Sequence, residues 1–169
     1  MTFPTDPQEC EDYGHDLATG AEQTPEQYKA RQPGGRAFLR AADYQPGPEE
    51  PDEAYPLLLT TGRSLYQFHT RTKTGRAPEL QQAAPEAWVE LSAGDAARLG
   101  VTEGDQVQVE SRRGAIQVPA RITGIDPGTV FVPFHYADQA ANELTRTAWD
   151  PVSKQPQFKT AAVRVAREG

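Results

Sequence analysis

Gln106-Val107-Gln108-Val109-Glu110-Ser111-Arg112-Arg113-Gly114-Ala115-Ile116-Gln117-Val118-Pro119-Ala120-Arg121-Ile122 decides the fold class. Polar and apolar residues alternate from Gln106 to Ser111, with Val107 and Val109 on one face. Arg112-Arg113-Gly114 breaks the pattern as a hairpin-like turn. Alternation then resumes, with Ile116, Val118, Ala120 and Ile122 opposed to Gln117, Pro119 and Arg121. Successive side chains of a strand point to opposite faces, so both halves read as half-buried strands. Pro119 has no N–H to give a neighbouring strand and marks an edge or a bulge.

Shorter signals of the same kind lie on either side. The apolar run Tyr55 to Thr61 stops at Gly62, and its length and bounding residues favour a buried strand over a helix. Trp88-Val89-Glu90-Leu91 is a second strand. Ser92 then caps a helix over Ala93–Leu99, Asp95 suits the positive end of its dipole, and Gly100 ends it. Asp126-Pro127-Gly128 turns the chain into a strand at Thr129–Val132, and Ala161–Val165 forms the last strand. Some six short strands, one clear helix and frequent Gly or Pro turns describe a small barrel or sandwich. No strong internal repeat is visible.

Upstream of Tyr55 the composition changes. Residues 1–54 hold 12 acidic against 4 basic side chains, a net of −8, whereas residues 55–169 balance to +1. The chain therefore divides into an acidic, Pro-rich extension over 1–54 and a near-neutral body over 55–169. Thr24, Pro25 and Gln27 give the extension one short helix over Thr24–Ala30. Arg36–Tyr44 reads either as an extended segment or as a helix, and Pro46–Pro51 reads as a linker.

Composition narrows the function. A net charge of −7 argues against nucleic-acid binding. No apolar run approaches the roughly 20 residues that span a bilayer, and no signal peptide is recognised, so a cytoplasmic protein without membrane contact is expected. One Cys cannot supply a disulfide framework, a Cys-rich zinc site or an iron–sulfur cluster. The three His residues, His15, His69 and His135, show no metal-ligand spacing, and no P-loop, G-x-G-x-x-G or nucleophile elbow is present. One local feature runs against the overall charge. Arg63, Arg71, Lys73 and Arg76 fall in a stretch without any acid. Such a patch can hold a phosphate or pyrophosphate, but from charge alone a solvated basic loop is the plainer reading.

From Tyr55 onward an ordered set of motifs resembles one family. The set is Leu59-Thr60-Thr61-Gly62-Arg63, His69-Thr70 with Thr72 and Thr74, Trp88 to Leu91, Asp95 to Val101, and Gly104 to Val107. It continues with Val109 to Gly114, Pro127 to Phe131, Pro133-Phe134-His135, Asn142 to Thr145, Asp150-Pro151, Ser153-Lys154 and Phe158-Lys159. Together these resemble the C-terminal, molybdopterin dinucleotide-binding domain of molybdenum oxidoreductases such as nitrate reductases and formate dehydrogenases. The resemblance implies a mainly β fold, a six-stranded double-psi β-barrel with one or two short helices, preceded by the irregular extension. It implies contact with molybdopterin guanine dinucleotide, held together with other domains, through Thr61, Gly62, Arg63, His69, Thr70, Asn142 and Lys159. The side-chain chemistry is consistent with such contacts. A strand ends at a glycine, hydroxyls and an Asn amide meet polar edges, and Arg63 suits phosphate. Each residue has a plainer alternative, with Thr61 a strand residue, His69 a hydrogen-bonded structural histidine, Asn142 a cap and His135 packing at a barrel mouth.

The match has departures. Many relatives carry His and Trp where this chain has Gln67 and Phe68, and Gly and Met where it has Arg71 and Lys73. The two extra cations either add phosphate contacts or face a different part of the enzyme. The family's molybdenum ligand comes from another domain, so the chain alone is expected to be inactive and to act with the remaining domains or subunits of a molybdoenzyme. The alternative from a different class is a stand-alone barrel subunit or interaction module, with the extension as its docking arm.

Overall fold

The computed structural model describes residue 43, residues 46–149 and residues 154–167. The expected helix at Thr24–Ala30 lies outside them, as does the undecided segment Arg36–Tyr44 apart from residue 43. One compact unit comprises Pro46–Trp149 and Pro156–Gly169, and a second comprises Met1–Gln45 and Asp150–Gln155. Every strand named below belongs to the first unit.

The strands are β1 (Leu57–Gly62), β2 (Val89–Ser92), β3 (Gln106–Ser111), β4 (Ala115–Thr123), β5 (Thr129–Pro133) and β6 (Thr160–Arg167). Two α-helices, α1 (Pro78–Ala83) and α2 (Ala93–Leu99), accompany them among the described residues. The strands close into a barrel in the order β1-β5-β2-β4-β3-β6. Pairs β1·β5 and β2·β4 are parallel, and the other four are antiparallel. Advancing every strand number by three maps this ring of pairings onto itself. The halves β1–β3 and β4–β6 therefore interlock as the two psi motifs of a double-psi barrel. The repeat lives in connectivity, not in side chains, which is why the sequence shows none.

Alternation fills the interior. Leu57, Leu59, Val89, Leu91, Val107, Val109, Ile116, Val118, Val130, Val132 and Val163 are all buried and contiguous. Each such side chain stabilises the fold by about 1.5–3 kcal/mol through removal from water. Ile122 is the exception to the expected phase and stands 36% exposed. At Pro119 strand β4 is paired with β3 alone, so the residue without an N–H falls where the strand has no partner on its other side. Strand β4 pairs with β3 up to Pro119 and with β2 from Ala120 onward, so the residue without a donor lies at the change of partner.

Helix α2 begins and ends as its sequence dictates. Ser92 Oγ accepts from Asp95 N at 3.1 Å. Gly100 closes the helix with φ of 66°, the left-handed conformation that glycine adopts without steric cost. Asp95 is wholly buried, and its Oδ2 accepts from the Ser92 hydroxyl at 2.7 Å and from Gly128 N at 2.8 Å. One carboxylate thereby ties α2 to the turn that starts β5. Burial pushes this carboxyl up, but the Gly128 N–H, the Ser92 hydroxyl and Arg98 outweigh it and hold it below the usual range.

The stretch read as a linker is clasped to the barrel. Glu49 pairs with Arg112 and Arg113 at 2.8 Å each, and Arg112 also pairs with Asp52. Arg112 lies 4.5 Å above the Tyr55 ring.

Candidate functional site

Strand register brings the expected site residues to one end of the barrel. Gly62, ending β1, pairs with Pro133, ending β5. Near its start β2 meets the same strand, Glu90 opposite Phe131, and the first residue of β6 lies beside Thr60. The segments after β1, after β5, before β2 and before β6 therefore emerge together. With the end of β1 they carry Thr61, Gly62, Arg63, His69, Thr70, His135 and Lys159. Strand β4 runs parallel to β2, so the β3–β4 turn points the same way, and Asn142 is held against it. Arg113 Nη2 and Nε donate to Leu144 O at 2.8 and 3.1 Å, fixing the 3-10 turn Ala141–Glu143. The Asn142 side chain is exposed, and among the described residues its main-chain carbonyl accepts from Thr145 Oγ1 at 3.3 Å.

Individual roles separate at this end. Thr61 is buried, and its hydroxyl donates to Phe158 O at 2.8 Å while its N–H donates to Lys159 O at 3.1 Å. Thr61 thus fixes the segment that displays Lys159. Gly62 makes room for a ring, since a Cβ there would lie 2.7 Å from Phe131 Cε2. Arg63 is exposed and has no hydrogen bond or ion pair among the described residues. The Lys159 ammonium, also exposed, lies 5.1 Å from the Phe134 ring centre and 5.4 Å from that of Phe158.

The loop after Arg63 is tied down by buried side chains. Ser64 N donates to His135 Nε2 at 2.7 Å, and His135 Nδ1 lies 2.5 Å from His69 O. A backbone N–H only donates and a carbonyl only accepts, so these two contacts call for the lone pair on Nε2 and the proton on Nδ1. The structural histidine is therefore His135, and the His69 ring stands exposed, edge-on to Phe68. Buried Gln67 donates to Ala84 O at 2.9 Å and accepts from Thr74 Oγ1 at 2.6 Å, joining loop to α1. Thr70 is exposed and shares a 3.0 Å hydrogen bond with Thr72.

Arg71 resolves the first question raised by its charge. It stacks 4.5 Å above Tyr136 and donates to Gln81, so it braces the loop. Its φ of 63° is the region in which glycine is unstrained, so the stacking and hydrogen bond hold a non-glycine residue there. Burial pushes the Tyr136 phenol up against the opposing pull of Arg71 and Arg121, and its hydroxyl donates to Ala84 O at 3.0 Å.

A cleft of about 330 Å3 opens beside this loop, with Arg63, Tyr66, Trp88, Glu90, Arg121 and Phe131 among its lining. Arg121 lies 3.7 Å from the Trp88 ring centre, and Trp88 Nε1 donates to Glu90 Oε1 at 3.0 Å. Sequence reasoning missed Trp88 and Arg121 as site residues. Alternation placed Arg121 outward, but its neighbour depends on β4 pairing with β2, and nothing local encodes that. Two guanidiniums and indole and phenol rings around one cleft suit a ligand with anionic groups and a flat ring. Among the described residues, no group of His, Cys, Asp and Glu is placed to hold a metal ion.

Residues 57–162 match the family model described as the molydopterin dinucleotide binding domain. The chain belongs to this family. It is 45% identical over 136 residues to a periplasmic nitrate reductase of Desulfovibrio desulfuricans, covering 80% of this chain and 18% of that protein. It is 42% identical over 134 residues to an F420-dependent formate dehydrogenase subunit alpha of Methanocaldococcus jannaschii, covering 79% of this chain and 20% of that one. Acetylene hydratase from Pelobacter acetylenicus shares the fold at a TM-score of 0.56 with 18% identity, over 67% of this chain and 18% of that chain. The chain thus spans about a fifth of the length of the curated relatives it matches.

Proposed function

We propose that this domain binds and orients molybdopterin guanine dinucleotide as one domain of a larger molybdenum oxidoreductase of the nitrate reductase or formate dehydrogenase kind. One observation carries the reading. In a protein of net charge −7, exposed cations gather at the end of a barrel whose family binds a pterin dinucleotide. Arg63, which has no partner among the described residues, and Lys159, which leans on Phe134, are turned toward solvent there. The donor set fits an anionic dinucleotide, because each guanidinium offers paired N–H groups to phosphate.

Arg63 and Arg121 would hold phosphate oxygens, with Lys159 adding charge and Thr70 a hydroxyl. The Asn142 amide offers donor and acceptor to a pterin or guanine edge. His69 presents a ring at the loop tip, and Thr61 and Gly62 contribute through the backbone they shape. Bound cofactor supplies the redox-active molybdenum, and the residues here bind and orient it. We assign no redox step to this chain's own side chains. Leu65, Tyr66 and Phe68 are exposed on the same loop, as expected where further domains pack over the cofactor. The cytoplasmic location expected from the sequence stands beside a relative that is periplasmic by name, and the proposal does not depend on compartment.

The test is to express the chain in cells that make the pterin dinucleotide and to measure co-purified pterin by fluorescence. The reading expects pterin in the wild type and its loss in Arg63→Ala. Equal pterin in both would contradict the assignment of Arg63.

A further inference from the structure

The loop Arg63–Arg76 must present its cations in a fixed geometry if it is to hold a ligand, yet much of it is irregular and exposed. His69 and Arg71 have φ of 46° and 63°, a conformation that non-glycine residues hold only when neighbours enforce it. The enforcing contacts come from far along the chain. His135 is 1% exposed and follows β5, yet its two ring nitrogens reach the backbone of Ser64 and of His69. These attachment points bracket Leu65–Phe68, and one of them directly follows Arg63. The ring is itself fixed, with Phe134 at 5.0 Å and Tyr136 at 6.2 Å between ring centres.

We infer that His135 is a positioning residue for the cofactor site: through Ser64 and His69 it sets where Arg63 and Thr70 stand. This rests on the cofactor reading above for what the loop binds, but not for how the loop is held. The imidazole spends Nε2 as acceptor and Nδ1–H as donor, so neither nitrogen is left for a ligand. Its contribution is preorganisation, since a loop already in its bound shape loses less conformational freedom on binding.

The test uses the nitrogen-15-labelled full chain, with molybdopterin guanine dinucleotide as probe. In the wild type, ring nitrogen shifts should report the neutral Nδ1–H tautomer, and Ser64 N–H should be protected like a strand amide. In His135→Phe, which keeps an aromatic ring and loses both bonds, amides from Ser64 to Thr70 should exchange faster while β3 and β6 amides do not. Affinity for the probe should fall about tenfold or more, the equivalent of two ordinary hydrogen bonds. His135→Gln, whose amide both accepts and donates, should restore most of the protection and affinity.

An Nε2–H tautomer, or a Ser64 amide exchanging like an open loop, overturns the proposal in the wild type alone, so it stays testable if His135→Phe does not fold. Faster exchange spread evenly over barrel and loop also overturns it, because that marks a merely structural residue. A wild type that does not bind the probe overturns the cofactor reading instead, and loop exchange then decides the role of His135 by itself.

Discussion

The Phe131 ring lies where a side chain on Gly62 would stand, at 2.7 Å from the Cβ position to Phe131 Cε2. Phe131 also lines the cleft beside Arg63. A methyl group at residue 62 must displace that ring, and the ring is part of the cleft wall. Gly62→Ala should therefore lose about 1–3 kcal/mol of stability, the usual cost of overpacking, together with weaker ligand binding. Urea unfolding and a parallel ligand titration measure both. A stable variant with unchanged affinity would show that the ring moves elsewhere.

Arg121, like Trp88, lines the candidate cleft without any signal in the local sequence. Its guanidinium lies over Trp88, and it shares the cleft with Arg63. Arg121→Ala should weaken binding of the pterin dinucleotide about tenfold or more, by loss of charge-assisted hydrogen bonds of about 1.5–3 kcal/mol. Each arginine variant should also show a shallower dependence of affinity on salt than the wild type. Calorimetric titration at two ionic strengths checks both statements.

Asp95 makes stability depend on pH. Its carboxyl titrates below the usual value in the fold, because the Gly128 N–H, the Ser92 hydroxyl and Arg98 outweigh the effect of burial. A depressed folded value means that the ionised form favours folding. The contribution is complete above the unfolded value of about 4 and disappears as pH falls through the folded one. Asp95→Asn should flatten the acid limb of the stability curve. Asp95→Ala should cost about 2–4 kcal/mol at pH 7 by stranding buried donors. Urea titrations at pH 7 and pH 3.5 separate the two.

Arg113 holds Asn142 in place at one remove. It donates twice to Leu144 O, just after the 3-10 turn that carries Asn142, and pairs with Glu49. Arg113→Ala should cost about 1–2 kcal/mol and speed amide exchange over residues 141–145. Unchanged exchange there would detach Asn142 from the β3–β4 turn.

Local pattern was enough for the strands and for α2. Val107 and Val109 alternate because the barrel wall has one wet face, and Ser92 and Gly100 bound a helix by their own backbone chemistry. What stayed hidden depended on partners distant in sequence. The change of partner that β4 makes at Pro119 has no local mark, and α1 is a six-residue helix with no buried residue to mark it. The same limit shaped the site. Arg63 was legible because a glycine ends its strand, whereas Arg71 joined the expected cation patch and turned inward onto Tyr136, 65 positions away. His135 could be placed at a barrel mouth, but not joined to Ser64 and His69.

The Arg63 end of this barrel is the proposed dinucleotide-binding surface. The most direct measurement is a titration of the nitrogen-15-labelled chain with molybdopterin guanine dinucleotide, followed amide by amide, beside Arg63→Ala. Saturable shifts are expected in the Gly62–Thr74 loop, the start of β2, β4 around Arg121, the Phe134–Tyr136 segment, the Asn142 turn and Lys159, with affinity at least about tenfold weaker in Arg63→Ala. Saturable shifts at the opposite end of the barrel, or equal affinity in both proteins, would contradict it.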